Sequence, residues 1–388
     1  MARGGRDPGI AARRHEAVSR GPRIYCSAGE PSGDAHAAPV IAALRRQAPG
    51  ITIEAFGGPQ MAAAGAQVLD RMESFSVVGF VEALEGIPRH YRLLRKTRNA
   101  FRAGRYDVAM FVDYPGYHLR AAAAAAAAGV PVLYYIAPQL WAWGAGRVRR
   151  LAAAVRQLAV ILPFEEPFFR ERGVPTTFVG HPLRDRPPPP GRAEARRALS
   201  LDPDRPTLGV FPGSRAQEVR RIWPVAREAA RRVIAARPDV QVVVAGTSVA
   251  SYPDAGALHV AMGDPALVFA AADAGLCKSG TTTLEAALAD LPMVITYRLH
   301  PVSNFIAMRV LQVPWVGLVN LVAGELVCPE LLQRAARPQA LADQLLPLLD
   351  PDDPVTRRQR AGPARVRERL GPPGAAERVA QLALELVR

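Results

Sequence analysis

The sequence predicts an α/β protein of two Rossmann-like, doubly wound domains facing a cleft. Three observations predict it. Short β-type runs alternate with helix-period patterns in both halves of the chain. A stiff, polyproline-like stretch, Arg184–Gly191, separates the halves. Several strand candidates run directly into Gly-bracketed, acidic or hydroxyl-rich turns, and in open α/β sheets ligands bind at the carboxyl ends of strands. At 388 residues the chain also exceeds what one core usually serves.

In the first half, strands are expected at Arg23–Cys26, Ile51–Phe56, Val108–Val112, Val132–Ile136 and Leu158–Leu162. Helices are expected at Asp34–Gln47, Pro88–Arg102 and Gly116–Ala128. In the second half, Thr207–Phe211, Val240–Ala245, Leu258–Ala261, Ala274–Cys277 and Met293–Tyr297 read as strands, with helices such as Gln217–Ala236 and Thr282–Ala289. The expected division is a disordered basic extension (1–22), a first domain (23–186), a linker (187–192), a second domain (193–350) and amphipathic C-terminal helices (351–388) that cross back over both domains.

Composition excludes several classes. No apolar run reaches 18 residues without a charge or Pro, so no transmembrane helix is expected. The first 22 residues are Arg-rich without an apolar core and do not read as a secretory signal. Cys26, Cys277 and Cys328 lack CxxC spacing and suit reduced thiols in a cytoplasmic protein rather than a disulfide or zinc site. The net charge of +14 would suit an anionic membrane or nucleic acid, but Lys96 and Lys278 are the only lysines, and an Arg-for-Lys skew beside so much Ala and Pro also follows from a GC-rich coding sequence. GxGxxG after a strand, GxxxxGK[ST], GxSxG and HExxH are absent, so a mechanism without metal or cofactor is expected.

The most informative stretch is Gly29-Glu30-Pro31-Ser32-Gly33-Asp34, after the apolar Ile24–Ala28. Asp34 can cap the following helix, whereas Glu30 has no capping role at that spacing and leaves a carboxylate at a strand end. Val108–Val112 runs into Asp113, which reads either as a cap of the next helix or as a general base facing the same cleft as Glu30. His118 and His181 are conceivable acid–base partners, although a lone His is more often structural.

Two loops in the second half suit a phosphate. After Thr207–Phe211, Gly213, Ser214 and Arg215 offer backbone N–H groups, a hydroxyl and a guanidinium at a helix N-terminus. After Ala274–Cys277, Ser279, Gly280, Thr281 and Thr282 form a second such cradle. Glu285, one turn further, either answers the helix dipole or accepts two hydrogen bonds from a ribose diol. Together these point to a nucleoside-diphosphate site.

The apolar Val77, Val78 and Phe80 precede a basic helix carrying Arg89, Arg92 and Arg95, with no acidic residue between Gly86 and Tyr106. That suits docking to an anionic lipid surface; a solvated basic face is the alternative. Leu140-Trp141-Ala142-Trp143 reads as core by default.

In order, these pieces resemble the lipid-A-disaccharide synthase family, inverting glycosyltransferases of GT-B architecture: Gly29–Asp34, Phe56–Met61, Ser76–Gly79, Val112–Pro115, Ala137–Trp143, Leu162–Glu165, Val179–Leu183, Pro212–Arg215, Ser279–Glu285 and Asn320 within Leu318–Gly324. The resemblance spans about residues 23–335. It implies transfer of a 2,3-diacylglucosaminyl group from UDP-2,3-diacylglucosamine to the 6-hydroxyl of 2,3-diacylglucosamine 1-phosphate, giving a β-1,6 disaccharide and UDP. Asp113 would then be the base, and Glu30 would orient the acceptor or share that role, with Ser32 and Asp34 beside it. Arg215 and Ser279–Thr282 would meet the diphosphate, and Glu285 and Asn320 would hold the nucleotide. The acyl chains would stay in an anionic inner-membrane surface, and a homodimer swapping the C-terminal helices is permitted. The chain departs from the family near Asn320: Val319 replaces a usual Pro, and Glu325-Leu326 a usual Arg-Glu; His36 stands where a small residue is commoner. Another GT-B transferase or epimerase acting on a UDP-amino sugar is the nearest alternative. A basic, non-catalytic nucleic-acid or membrane binder is the remote one, and nucleic acid is not an expected partner.

Overall fold

In the computed structural model the described residues are 21–72, 80–142, 144–299, 309 and 313–387. The chain forms two compact units: one runs to Asp185 and takes up the segment from Pro372 onward, and the other is Arg186–Gly371. The sequence expectations for 1–20 and for Val77 and Val78 lie outside the described residues.

The first unit is a seven-stranded parallel sheet ordered β3-β2-β1-β4-β5-β6-β7. Its strands are β1 Arg23–Ala28, β2 Thr52–Gly57, β3 Gln67–Arg71, β4 Val108–Val112, β5 Val132–Tyr135, β6 Gln157–Val160 and β7 Thr176–Phe178. Every residue of β4 and β5 is buried, as befits strands covered on both faces by helices. β3 and β7 escape the sequence reading for physical reasons: β3 is a half-exposed edge with polar alternate positions, and β7 has three residues. The order reverses between β1 and β4, whose register pairs Ala28 with Val112. The Gly29-Glu30 and Asp113-Tyr114 turns therefore leave the sheet side by side, at its topological switch point.

Helix Pro31–Gln47 begins three residues earlier than expected, with Pro31 at its first position and Glu30 as the N-cap residue. Asp34 consequently lies inside the helix and does not cap it. Its carboxylate instead caps helix Pro59–Ala63, accepting from the backbone N–H of Gly58 (2.9 Å), Gln60 (3.0 Å) and Met61 (3.1 Å). Helix Phe80–Arg102 likewise starts before Pro88, which sits within it.

The second unit repeats the plan with six parallel strands ordered β10-β9-β8-β11-β12-β13. They are β8 Thr207–Phe211, β9 Gln241–Gly246, β10 His259–Met262, β11 Ala274–Lys278, β12 Met293–Tyr297 and β13 Glu330–Leu332. Its switch point lies between β8 and β11, with Phe211 opposite Cys277. The amphipathic helix Ala216–Ala236 buries Val219, Ile222, Trp223, Ala226, Ala229, Ala230 and Val233 against this sheet.

The two C-terminal helices part company. Pro354–Arg369 packs on helices Thr281–Leu288 and Leu318–Ala323 of the second unit. Ala375–Val387 instead lies on helix Pro31–Gln47 and adds Val379, Ala380 and Ala383 to the first unit's core. The Asp185 carboxylate accepts from the N–H of Gly374 (2.5 Å) and Ala375 (3.2 Å) at that helix's start. Among the described residues no helix is long and apolar enough to cross a membrane.

Candidate active site

At the first unit's switch point, β4 ends in two successive non-glycine residues with left-handed backbone, Asp113 (φ 49°) and Tyr114 (φ 52°), before helix Pro115–Ala127. The Tyr114 ring lies over Gly29, where a Cβ would stand 2.3 Å from it, so only glycine allows this approach. The Tyr114 hydroxyl meets His90 Nε2 at 2.9 Å. Burial, then the Glu30 carboxylate, raises the tyrosine's pKa. Glu30 and Asp113 are partly exposed and Ser32 is exposed, while Asp34 is buried in its capping role.

Below this turn the backbone carbonyl of Asp113 accepts from the Tyr134 hydroxyl (2.7 Å) and from His118 Nδ1 (2.6 Å). A carbonyl only accepts, so Nδ1 carries the proton, and Nε2 accepts from the Ser27 hydroxyl at 2.8 Å. Burial pushes the His118 imidazole down to about 3, which keeps it neutral and removes it as an acid–base partner at ordinary pH. His181 is also buried, and its Nδ1 accepts the Leu183 N–H (3.2 Å), a structural bond.

Glu165 stands apart as a buried acid. It accepts from Trp141 Nε1 (2.9 Å) and the Leu162 N–H (3.1 Å), and burial pushes its carboxyl up to about 7, with a small contribution from Asp113. Leu140 and Trp141 are accordingly core residues.

In the second unit, Gly213 has φ 122°, a conformation favouring glycine, and carries the chain from β8 into the loop before helix Ala216–Ala236. Ser214 and Arg215 are exposed there. Under the loop, Lys278 at the end of β11 pairs with Glu218 (2.9 Å), and Arg215 approaches the same carboxylate at 4.0 Å. Lys278 also lies 5.4 Å from the Tyr297 ring centroid. Across the switch point, Ser279 donates to the Val316 carbonyl (2.8 Å), leaving Gly280, Thr281 and Thr282 at the surface of the helix N-terminus. Glu285 pairs with Arg186 at 2.5 Å.

Asn320 is fully buried and its amide is fully used. It donates to the Cys328 carbonyl (2.9 Å) and Glu330 Oε1 (2.8 Å), and accepts from the N–H of Val327 and Cys328 (both 3.0 Å). No hydrogen-bonding capacity remains for a nucleotide, so this side chain shapes the loop rather than touching a ligand. Glu330 completes the tie by accepting from the N–H of Val316 and Gly317.

The chain matches the lipid-A-disaccharide synthetase family over residues 24–384. It is 40% identical over 375 residues to the lipid-A-disaccharide synthase of Geobacter metallireducens, covering 94% of this chain and 97% of that one. The chain belongs to the lipid-A-disaccharide synthetase family. It is thus a glycosyltransferase of lipid A biosynthesis. Among solved structures, the calicheamicin glycosyltransferase is similar with a TM-score of 0.58 at 18% identity, covering 95% of this chain and 98% of that one. A UDP-GlcNAc 2-epimerase from Neisseria meningitidis gives 0.59 at 10% identity, covering 94% and 98%. These likenesses establish the GT-B fold.

The departures from the family pattern now have physical consequences. Val319, unlike the usual Pro, has an N–H, and it donates to Thr283 Oγ1 at 3.3 Å, tying two helices of the second unit. Glu325 pairs with Arg365, and Leu326 is exposed. Sequence reasoning missed Ser27, Tyr134, Glu218, Arg186 and Glu330 as parts of these constellations, and named Glu165 only as part of the family pattern, without a role. For Lys278 a signal was available: one of two lysines in an Arg-rich chain stands directly before the hydroxyl loop.

The expected basic face is exposed on helix Phe80–Arg102: Arg89, Arg92, Arg95, Arg98 and Arg102 point outward with Tyr91, while Leu93, Thr97 and Phe101 face the core. The Phe80 side chain lies outside the described residues. Among the described residues no group of His, Cys, Asp and Glu is placed to hold a metal ion.

Proposed function

We propose that the enzyme condenses UDP-2,3-diacylglucosamine with 2,3-diacylglucosamine 1-phosphate, and that Asp113 is the base. The carboxylate takes the proton of the acceptor 6-hydroxyl as that oxygen attacks the donor's anomeric carbon. The bond to the UDP oxygen breaks on the opposite face, which inverts the centre and yields the β-1,6 disaccharide 1-phosphate and UDP. The observation carrying this reading is the Asp113 turn at the first unit's switch point, two residues of left-handed backbone built to end a buried strand in a carboxylate.

Glu30, on the neighbouring turn, orients the acceptor, with Ser32 at its edge. Gly213, Ser214 and Arg215 and the Ser279–Thr282 helix N-terminus stabilise the departing diphosphate. Glu285 accepts from the ribose once Arg186 yields, and Asn320 acts through the loop it ties. Purified enzyme should form the acylated disaccharide phosphate only with both substrates, and Asp113→Asn should slow it by about 1,000-fold or more. UDP release without acceptor would favour epimerase or hydrolase chemistry.

We further infer a peripheral position on the cytoplasmic face of the inner membrane, supported by the Arg89, Arg92 and Arg95 face and by Tyr91, which is 66% exposed. Sedimentation with vesicles should retain the enzyme when anionic lipid is present, less so at high salt, and Arg89→Glu/Arg92→Glu/Arg95→Glu should release it. A homodimer by exchange of helix Ala375–Val387 is the remaining partner reading. Exchange would reproduce the Asp185 cap between copies, and a concentration-dependent mass by analytical ultracentrifugation tests it.

A further inference from the structure

The buried hydrogen bonds beneath Asp113 take no part in the chemistry proposed above, yet they converge on one atom. We infer that Tyr134 and His118, the latter backed by Ser27, are positioning residues that clamp the Asp113 backbone carbonyl and so hold its carboxylate in the reactive geometry. This rests on the reading of Asp113 as the base.

The argument begins with strain. Left-handed backbone costs a non-glycine residue about 1–2 kcal/mol, less for Asp than for Tyr, and Asp113 and Tyr114 adopt it in succession. Such a turn persists only where its surroundings over-determine it. The Asp113 N–H is held by the Tyr135 carbonyl (3.0 Å), an ordinary continuation of the sheet. Its carbonyl is held by something special: two side-chain donors at 2.6 and 2.7 Å, which together fill both lone pairs.

Both donors come from rigid elements. Tyr134 is a fully buried residue of β5, and His118 is fully buried on the first turns of helix Pro115–Ala127. The carbonyl, which only accepts, fixes the imidazole's tautomer with the proton on Nδ1, and the Ser27 hydroxyl on β1 completes it by donating to Nε2. With a third element, β1, behind the imidazole, side chains from two elements therefore meet on one carbonyl. Releasing it would let the turn relax towards ordinary backbone and swing the carboxylate, and a misplacement of about 1 Å at a reacting group costs on the order of 100-fold.

Tyr134→Phe removes one hydroxyl and little packing. It should lower kcat about tenfold, leave KM for both substrates within about twofold, and leave the melting temperature nearly unchanged. His118→Phe should lower kcat further, whereas His118→Asn, whose amide N–H stands near the Nδ1 position, should recover most of it. The decisive arm is coupling. Asp113→Asn removes the carboxylate but keeps a residue at ease in left-handed backbone. In that background Tyr134→Phe should cost nothing more of the residual turnover, because its effect runs through the missing base. Wild-type kcat in both Tyr134→Phe and His118→Phe would overturn the inference, as would an equal loss from Tyr134→Phe with or without the carboxylate. Wild-type turnover by Asp113→Asn alone would instead overturn the base assignment, so the two failures read differently.

Discussion

The two switch points of this enzyme are built in opposite styles. In the first unit, Asp113 stands on a strained turn held by neutral donors, Tyr134 and His118, with Tyr114 locked over Gly29. In the second, the loops are ordinary glycine-led turns and the side chains around them are charges paired with one another: Lys278 with Glu218, and Arg186 with Glu285. The contrast follows from the chemistry each would serve. Proton removal depends on the place of one carboxylate, and neutral hydrogen bonds fix a backbone without shifting that carboxylate's charge. Binding a diphosphate depends on positive charge that must be stable in its absence, and an ion pair supplies that by holding each cation against an internal anion until a stronger one arrives.

Substitutions can break or sharpen this contrast. The largest separation should come from Asp113→Asn against Arg215→Ala. The first should cost about 1,000-fold or more in kcat with donor affinity unchanged. The second should cost on the order of 10–100-fold, the worth of one charge-assisted hydrogen bond, with part of it in donor KM. Steady-state kinetics with both substrates varied measures each, and a pure kcat effect for Arg215→Ala would remove the distinction.

Next in size, Lys278→Met should leave Glu218 partly buried without its lysine. It should destabilise the protein by about 2 kcal/mol in denaturant melts and weaken UDP binding in calorimetry; unchanged UDP affinity would restrict Lys278 to a structural role. Gly29→Ala drives a methyl into the Tyr114 ring and should cost about 1–2 kcal/mol together with a drop in kcat, whereas a glycine-free turn of equal activity would show that the ring contact is dispensable.

The smallest effect concerns Glu54, which on β2 bonds Arg23, Arg105 and Tyr106 and none of the strand-end turns. Burial alone would raise its carboxyl, but hydrogen bonds from Arg105, Tyr106 and Arg23 outweigh that and bring it down to about 2. A depressed native pKa stabilises the fold above the unfolded value near 4.5, and that contribution is lost as pH falls towards 2. Glu54→Gln should therefore flatten the acid limb of stability over that window, measured by urea unfolding at a series of pH values.

The alternation of strand and helix was legible because burial on both faces demands continuous apolar runs, and residues at strand ends follow from where those runs stop. Glu30, Asp113, Arg215 and Ser279 were placed that way. The half-solvated edge strand Gln67–Arg71 left no comparable signal. Asn320 was legible as a special residue but not in its role, because whether an amide faces a ligand or ties its own loop depends on which carbonyls come within 3 Å of it.

By itself, then, the sequence determined the fold class, the positions of the strand-end turns and the family, since these rest on local pattern and order along the chain. Only the tertiary structure decided which partners those residues take. Asp34 caps a helix 24 residues away, Asp185 caps one beginning at Ala375, and side chains from two separate elements clamp the carbonyl of Asp113. The physical reason is the range of the interactions. Apolar periodicity is written in neighbours three or four residues apart, whereas a hydrogen bond acts over about 3 Å between whatever segments the folded sheet order brings together.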